Sequence, residues 1–433
     1  MRFGSAKEVI TPPFKMKLSC TGEDRFDYEN IHDDVYVRAI TFDDGASSAL
    51  LISFDLLFHE RSLNDALSEY AEQKYGVKRS AVCVGYTHAH ITPAVKSYNP
   101  GHHDDGYEAL LLERGKLCID RAMTSMFEGY LEYGSMDIDL NISRRGYVDG
   151  KYMNLPNFNY PHDRELFVLC VKDTEGNVRS VMVNYACHPV FYPALLTLGA
   201  EFPGRLCELL DERYPNSTAL FFQSAAGDVR PSTTVSKKED GTYKWRKLSF
   251  DGIDEFAKML YEKVEEILNC GDLNQGSLQI STDSFKVSLP MNPAPFEWFS
   301  EEYERQKMRP IGANCTNAHL IVNGGYDKLR DALDLYCGII KLTDKLCIAN
   351  VGGEPCYGIK AAVLKALAGY DVCFVGYTDD CAYIVDDKIL AEGGYEAECH
   401  LEYGLIGPFK KGIDGRISQG FYESLKRLGL NKA

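Results

Sequence analysis

The sequence has no CxxC pair, although it holds 14 cysteines. That absence removes the structural zinc knuckle as a class. The cysteines are scattered instead, several inside apolar runs such as Val82-Cys83-Val84 and Leu169-Cys170-Val171. Such placement predicts buried free thiols in a reducing compartment rather than a disulfide framework. Blocks of Lys and Arg are also missing. The nearest, Lys237-Lys238, runs straight into Glu239-Asp240, and the net charge is -16. Nucleic acid is therefore not an expected partner, because phosphates need clustered cations to neutralise them. No apolar run approaches the roughly 20 residues that cross a bilayer; residues 48–58 are apolar but contain Asp55. The opening MRFGSAKEVITPP lacks the apolar core of a secretory leader. Together these absences predict a soluble cytoplasmic protein with no membrane span.

What is present alternates between two periods. Strands are predicted at 35–42, 49–54, 81–86, 166–172, 178–186, 218–222, 280–287, 345–351 and 372–376. Helices are predicted at 61–75, 107–126, 204–212, 254–268, 356–367 and 417–428. The stretch 232–247 reads as a surface excursion, and 291–324 as the least regular region, an insertion or lid. No repeat or linker interrupts the 433 residues, so a single domain over 1–433 is expected. The fold class is α/β (mixed α+β), with mixed sheets covered by helices.

Strand ends are where such proteins build sites, and four carry polar residues. After the strand at 81–86 comes His88-Ala89-His90. On an extended chain these two imidazoles share a face, as paired metal ligands, as a ligand and a proton carrier, or as ordinary polar histidines. Thr92 stands where a metallo-β-lactamase motif needs Asp. Cys187-His188-Pro189 ends the strand at 178–186; alternation sends Cys187 and His188 to opposite faces, and His188 is a ligand or a hydrogen-bonded core histidine. Gly352-Gly353-Glu354 follows 345–351, and Glu354 is either a hard oxygen ligand or an acid at a helix N-terminus. Gly376 to Tyr383, with Tyr395 beyond, supplies acids and tyrosines for a polar pocket or an aromatic-packed turn.

Taken in order, these segments resemble the neutral/alkaline non-lysosomal ceramidase family. Glu8-Val9-Ile10-Thr11-Pro12-Pro13 resembles its DITPP start, and Ile31-His32-Asp33-Asp34-Val35-Tyr36-Val37-Arg38-Ala39 its GIHDxLYARA strand. Thr87-His88-Ala89-His90 is similar to THTH, Asn184-Tyr185-Ala186-Cys187-His188-Pro189 to NWFAxHP, and Gly227-Asp228-Val229-Arg230-Pro231 to GDVSP. Gly353-Glu354 is similar to the Gly-Glu of PGEFTT, and Tyr383 with Tyr395-Glu396 resembles a tyrosine-rich segment. The resemblance spans about residues 1 to 400 and implies a catalytic domain of that type, without the C-terminal β-sandwich. It implies one Zn²⁺ per chain, held by His88, His188, Glu354 and Tyr383. Two imidazoles and a carboxylate leave a position for water, as in catalytic zinc sites. It further implies that His90 moves protons or orients the water, that Asp228 orients His90 or a ligand, and that Tyr395 and Arg144 contact substrate.

The sequence departs from this pattern at Arg230, where the family has a serine treated as a nucleophile. Arginine cannot serve as one, so direct attack by metal-activated water is expected. Arg230 would then stabilise an oxyanion or grip a carboxylate or phosphate. The resulting expectation is a zinc-dependent amidohydrolase acting on a polar or anionic small molecule. Its competitors are a catalytically degenerate member that binds metal or ligand without turnover, and an esterase or phosphoesterase on the same scaffold.

Overall fold

The computed structural model describes residues 1–19, 27–95, 104–191, 196–307 and 313–430. The fold is mixed α/β, as expected. Its largest sheet has nine strands. In spatial order they run Thr218–Gln223, Val178–Tyr185, Glu165–Asp173, Phe127–Asp137, Arg2–Val9, Tyr36–Asp43, Ser48–Phe54 and Val82–Tyr86, with Asn274–Gly276 added on Phe127–Asp137. Both ends of this sheet are parallel pairs: Thr218–Gln223 with Val178–Tyr185, and Ser48–Phe54 with Val82–Tyr86. Parallel strands are buried on both faces and read as continuous apolar runs; all six residues of Thr218–Gln223 are buried. The sheet curls so that its two ends meet, and Ser53 Oγ donates to the Phe221 carbonyl at 2.6 Å.

Helices Glu201–Arg213 and Phe250–Leu268 cover one face, burying Phe202, Leu206, Leu210, Phe256 and Leu260 against Val181, Val183 and Phe221. A second sheet has four strands, Ser281–Pro290, Ala332–Lys341, Leu346–Val351 and Asp371–Val375, the last two parallel. The carboxyl ends of three parallel pairs thus gather at one place. Gly376 N donates to the Gln223 carbonyl at 2.9 Å and Tyr86 N to the Tyr377 carbonyl at 3.1 Å, tying the two sheets together there.

Three expectations need correction. The segment 291–324 is not irregular: helices Phe296–Gln306 and Ala313–Gly324 occupy most of it, and residues 308–312 lie outside the description. It packs on the chain near 400–409, with Ala294 N bonded to the Ile406 carbonyl and Asn317 Nδ2 to the Leu401 carbonyl. Several strands lie outside the predicted ranges, the longer ones being Arg2–Val9, Phe127–Asp137, Asn141–Val148, Lys151–Asn157 and Ala332–Lys341. The third correction concerns His88, which is not on extended backbone. The strand ends at Tyr86, and His88 has φ 63°. There the chain turns because Thr87 N and His88 N bond the Phe54 and Leu56 carbonyls, at 2.9 Å each. Of the cysteines described, Cys270 is exposed and the rest are buried, all as free thiols.

Candidate metal centre

His88, His90 and His188 sit just past strand ends, and hydrogen bonds between the loops fix their convergence. Gln223, the last residue of its strand, is fully buried and binds two histidine-bearing loops at once. Its Nε2 donates to the Thr87 carbonyl at 3.0 Å and to the Cys187 carbonyl at 2.9 Å; its Oε1 accepts from Cys187 N at 3.2 Å. His88 and His188 are thereby held edge to face, ring centroids 4.4 Å apart and planes at 90°. Cys187 points into the helix-covered core, as alternation predicted. Glu354 and Tyr383 are direct register partners in a short parallel pair, Glu354–Pro355 with Tyr383–Ile384. Gly353 makes the approach to that pair in the left-handed region, φ 72°, which glycine adopts without steric penalty.

The result is a buried cluster. His88 Nε2 lies 3.1 Å from His188 Nε2 and 3.3 Å from Glu354 Oε2, and His188 Nδ1 lies 3.9 Å from the same oxygen. His90 joins them: the nitrogens of His88, His90 and His188 can all lie within 4.8 Å of one another. The His90 ring stands 5.0 Å from each of the other two. His88 Nδ1 is 3.0 Å from the Leu57 carbonyl. A carbonyl only accepts, so the proton belongs on Nδ1, which leaves the Nε2 lone pair facing the cluster. Burial, then His88 and Arg144, push the imidazolium form of His188 well below its ordinary range. Burial, His88 and Arg230 do the same to His90. Neutral imidazoles are the form that binds metal. Glu354 Oε2 and His188 Nδ1 are buried without a hydrogen-bond partner among the described residues. Orphaned buried acceptors are uncommon in folded proteins, and a cation among them would satisfy them. The residues present therefore fit a metal ion.

A cavity of about 120 Å³ opens over the cluster, lined by Arg144, Arg230, Tyr383, Tyr395 and the apolar Leu57 and Phe58, among others. Tyr383 stacks 6.5 Å from the His188 ring, and burial raises its phenol well above the usual value. Tyr395 is 38% exposed at the cavity mouth, its hydroxyl 3.2 Å from Glu402. Arg144 donates from Nε to Glu396 at 2.8 Å and lies over the rings of Tyr383 and Tyr395. Arg230 Nη2 donates to the Val190 carbonyl at 3.0 Å, and its guanidinium lies over Trp245. Asp228, expected to orient His90 or a ligand, faces a helix start. Its Oδ1 accepts from Tyr357 N at 3.2 Å, at the start of helix Tyr357–Ala366, and its carbonyl accepts from Arg144 N. Burial lifts its carboxyl to about 7. Clefts elsewhere of about 440 and 520 Å³ share Arg61, Tyr336 and Asp379 and hold none of the clustered histidines.

No protein-family model and no curated protein matches the sequence. Solved structures do. A crystal structure of neutral ceramidase from Pseudomonas aeruginosa superposes with a TM-score of 0.75 at 17% identity, covering 100% of this chain and 75% of that one. The chain has a neutral ceramidase-like fold. A ceramidase complexed with C2 matches it as well, with a TM-score of 0.74 at 18% identity, over 100% of this chain and 76% of that one. At this identity the likeness is one of fold. Within that ceramidase-like fold, sequence reasoning brought His88, His90, His188, Glu354, Tyr383, Tyr395, Arg144 and Arg230 to one cavity. It missed Gln223, whose only signal is a polar residue closing the apolar run Thr-Ala-Leu-Phe-Phe. It also missed Glu201, a buried acid whose Oε2 accepts from His90 N at 2.5 Å. No helix among the described residues is long and apolar enough to cross a membrane.

Proposed function

We propose that this chain is a zinc-dependent hydrolase that cleaves an amide bond in a polar or anionic small molecule. The observation that supports this most is the convergence of His88, His188 and Glu354 within 3.1 to 3.9 Å at the floor of a cavity, with orphaned acceptor atoms. In this reading His88, His188 and Glu354 hold the ion, and Tyr383, the register partner of Glu354, completes the set. A zinc ion there would supply Lewis acidity, polarising a carbonyl and lowering the pKa of water to about 7.

The remaining work falls to the chain. The Leu57 carbonyl fixes the tautomer and ring plane of His88, as partners beyond the ligands do in metal sites generally. His90, neutral and beside the ligand cluster, accepts a proton at a ring nitrogen from the attacking water and returns it to the leaving amine. Tyr395, at the mouth, orients the substrate. Asp228 acts at one remove, since its carbonyl holds Arg144 N in the cavity wall. Leu57 and Phe58 keep bulk water off the reacting carbonyl. In this reading residues 1–433 form one catalytic unit; none of the described residues of 291–324 lines the cavity, so that segment is an insertion bracing the cavity wall near Tyr403.

The test is turnover on matched amide, carboxylic ester and phosphoester substrates, before and after metal removal by chelation. Amide hydrolysis lost on chelation and restored by zinc is expected. Retained turnover in metal-free protein would contradict the reading, and faster phosphoester cleavage would reassign the reaction.

A further inference from the structure

The three strands beside the cavity form a wall whose chemistry the hydrolytic step leaves unused. Val229–Pro231 pairs antiparallel with Asn141–Val148, placing Arg230 opposite Ile142, and Asn141–Val148 pairs in turn with Lys151–Asn157. These strands present Arg230, Arg144 and Asn154 to one cavity. Trp245 backs the wall: its Nε1 donates to the Asn154 carbonyl at 3.1 Å, and its ring lies 4.6 Å from the Arg230 guanidinium carbon. A guanidinium over an indole face is held in place by cation–π attraction. Arg144 is buried, 3% exposed, with its guanidinium over the rings of both Tyr383 and Tyr395. Its Nη2 has no hydrogen-bond partner among the described residues. The carboxylate it does touch, Glu396, is shared with Arg145, whose Nη1 donates to the other oxygen at 2.6 Å.

We infer that this wall is an oxyanion subsite: a carboxylate or phosphate of the ligand is held between Arg144 and Arg230, beside the histidine cluster. That this ligand is also the substrate rests on the hydrolase reading above; the subsite itself does not. Two guanidiniums on one small cavity recognise oxyanions through parallel N–H···O bonds, which a neutral amide cannot match with charge. The cavity of about 120 Å³ has room for about four waters' share of liquid volume, enough for one such group beside a scissile bond.

The test is calorimetric titration of the whole chain with succinate, its neutral isostere succinamide, and inorganic phosphate. Each titration is run on chelator-treated protein and again with zinc chloride added, so that an anion sitting on the ion is separated from one held by the arginines. Saturable binding of succinate or phosphate to the metal-free protein is expected, at least about tenfold tighter than succinamide. The tighter of the two identifies the anion class. Arg230→Gln should weaken it by about tenfold or more, and Arg230→Lys by less, because lysine keeps the charge and loses the fork. Equal binding of succinate and succinamide by the wild type would overturn the inference without reference to any variant's folding. Zinc-dependent turnover that prefers neutral amides over anionic ones would overturn it too, while leaving the hydrolase reading in place. Anion binding by a chain that takes up no zinc would remove the hydrolase reading and keep the subsite.

Discussion

Replacing Gln223 by Met should damage the metal centre without touching a ligand. Methionine keeps an unbranched chain of similar size and the buried position. It deletes the three hydrogen bonds that join the Thr87-His88 and Cys187-His188 loops. At about 1 kcal/mol net for each bond, the loss is about 3 kcal/mol. The orphaned Cys187 N–H and the two carbonyls, all in a fully buried setting, push the cost toward the upper side of that figure. The same change frees His88 and His188 to drift apart, and partners beyond the ligands typically contribute 10- to 100-fold in affinity, so a zinc affinity about tenfold or more weaker is expected. Urea unfolding of metal-free protein by linear extrapolation measures the first effect. Competition against a chromophoric chelator measures the second. A Gln223→Met protein within about 0.5 kcal/mol of wild type, with unchanged zinc affinity, would refute the claim that this side chain sets the geometry.

Gly353→Ala should cost at least about 2 kcal/mol, because a left-handed residue acquires a Cβ. That atom would stand 2.6 Å from the Ala382 carbonyl and 2.7 Å from Ile384. It should also weaken zinc binding by parting Glu354 from Tyr383; an unchanged urea midpoint would count against this. Asp379 has its carboxyl raised from 3.8 to about 7 by burial, partly opposed by Arg61. The native state therefore binds more protons than the unfolded chain across that window, and stability falls as pH rises through it. Asp379→Asn should remove that slope, so the melting temperature of the variant minus that of wild type should increase between about pH 5 and about pH 8. A constant difference would contradict the assignment. His90→Ala should leave zinc content near one per chain and lower turnover by about 100-fold or more, the range for lost acid–base catalysis; loss of metal instead would make His90 a ligand.

Most of the longer helices were legible from their 3.6-residue period, and the parallel strands from continuous apolar runs. Arg61–Tyr75 matches its expected bounds, and Thr218–Gln223 extends its own by a single residue. Phe127–Asp137 was not legible. Its buried positions are few and its outward face mixed, so neither period stands out, and pairing with Glu165–Asp173 makes it a strand. The helices within 291–324 escaped for a related reason: only Phe299 and Glu302 of Phe296–Gln306 are buried, too few to show a stripe. At the site, short polar motifs after strands marked the ligand candidates, because strand ends are where such folds build sites. His88 does not lie on extended backbone beside His90. Their rings converge through a left-handed turn, not through strand alternation. Gln223 and Glu201 stayed hidden because their roles exist only between segments distant in sequence. Asp228 shows the opposite case: its motif was visible, but its partner is Tyr357 rather than a histidine.

The most direct test of the central claim is the metal content of the purified chain after zinc reconstitution and desalting, wild type beside His188→Ala. The account predicts about one zinc per chain in the wild type, as in catalytic sites with three or four protein ligands, and loss of it in the variant. Wild-type protein that holds no metal after reconstitution, or a His188→Ala protein that holds as much as wild type, would contradict it.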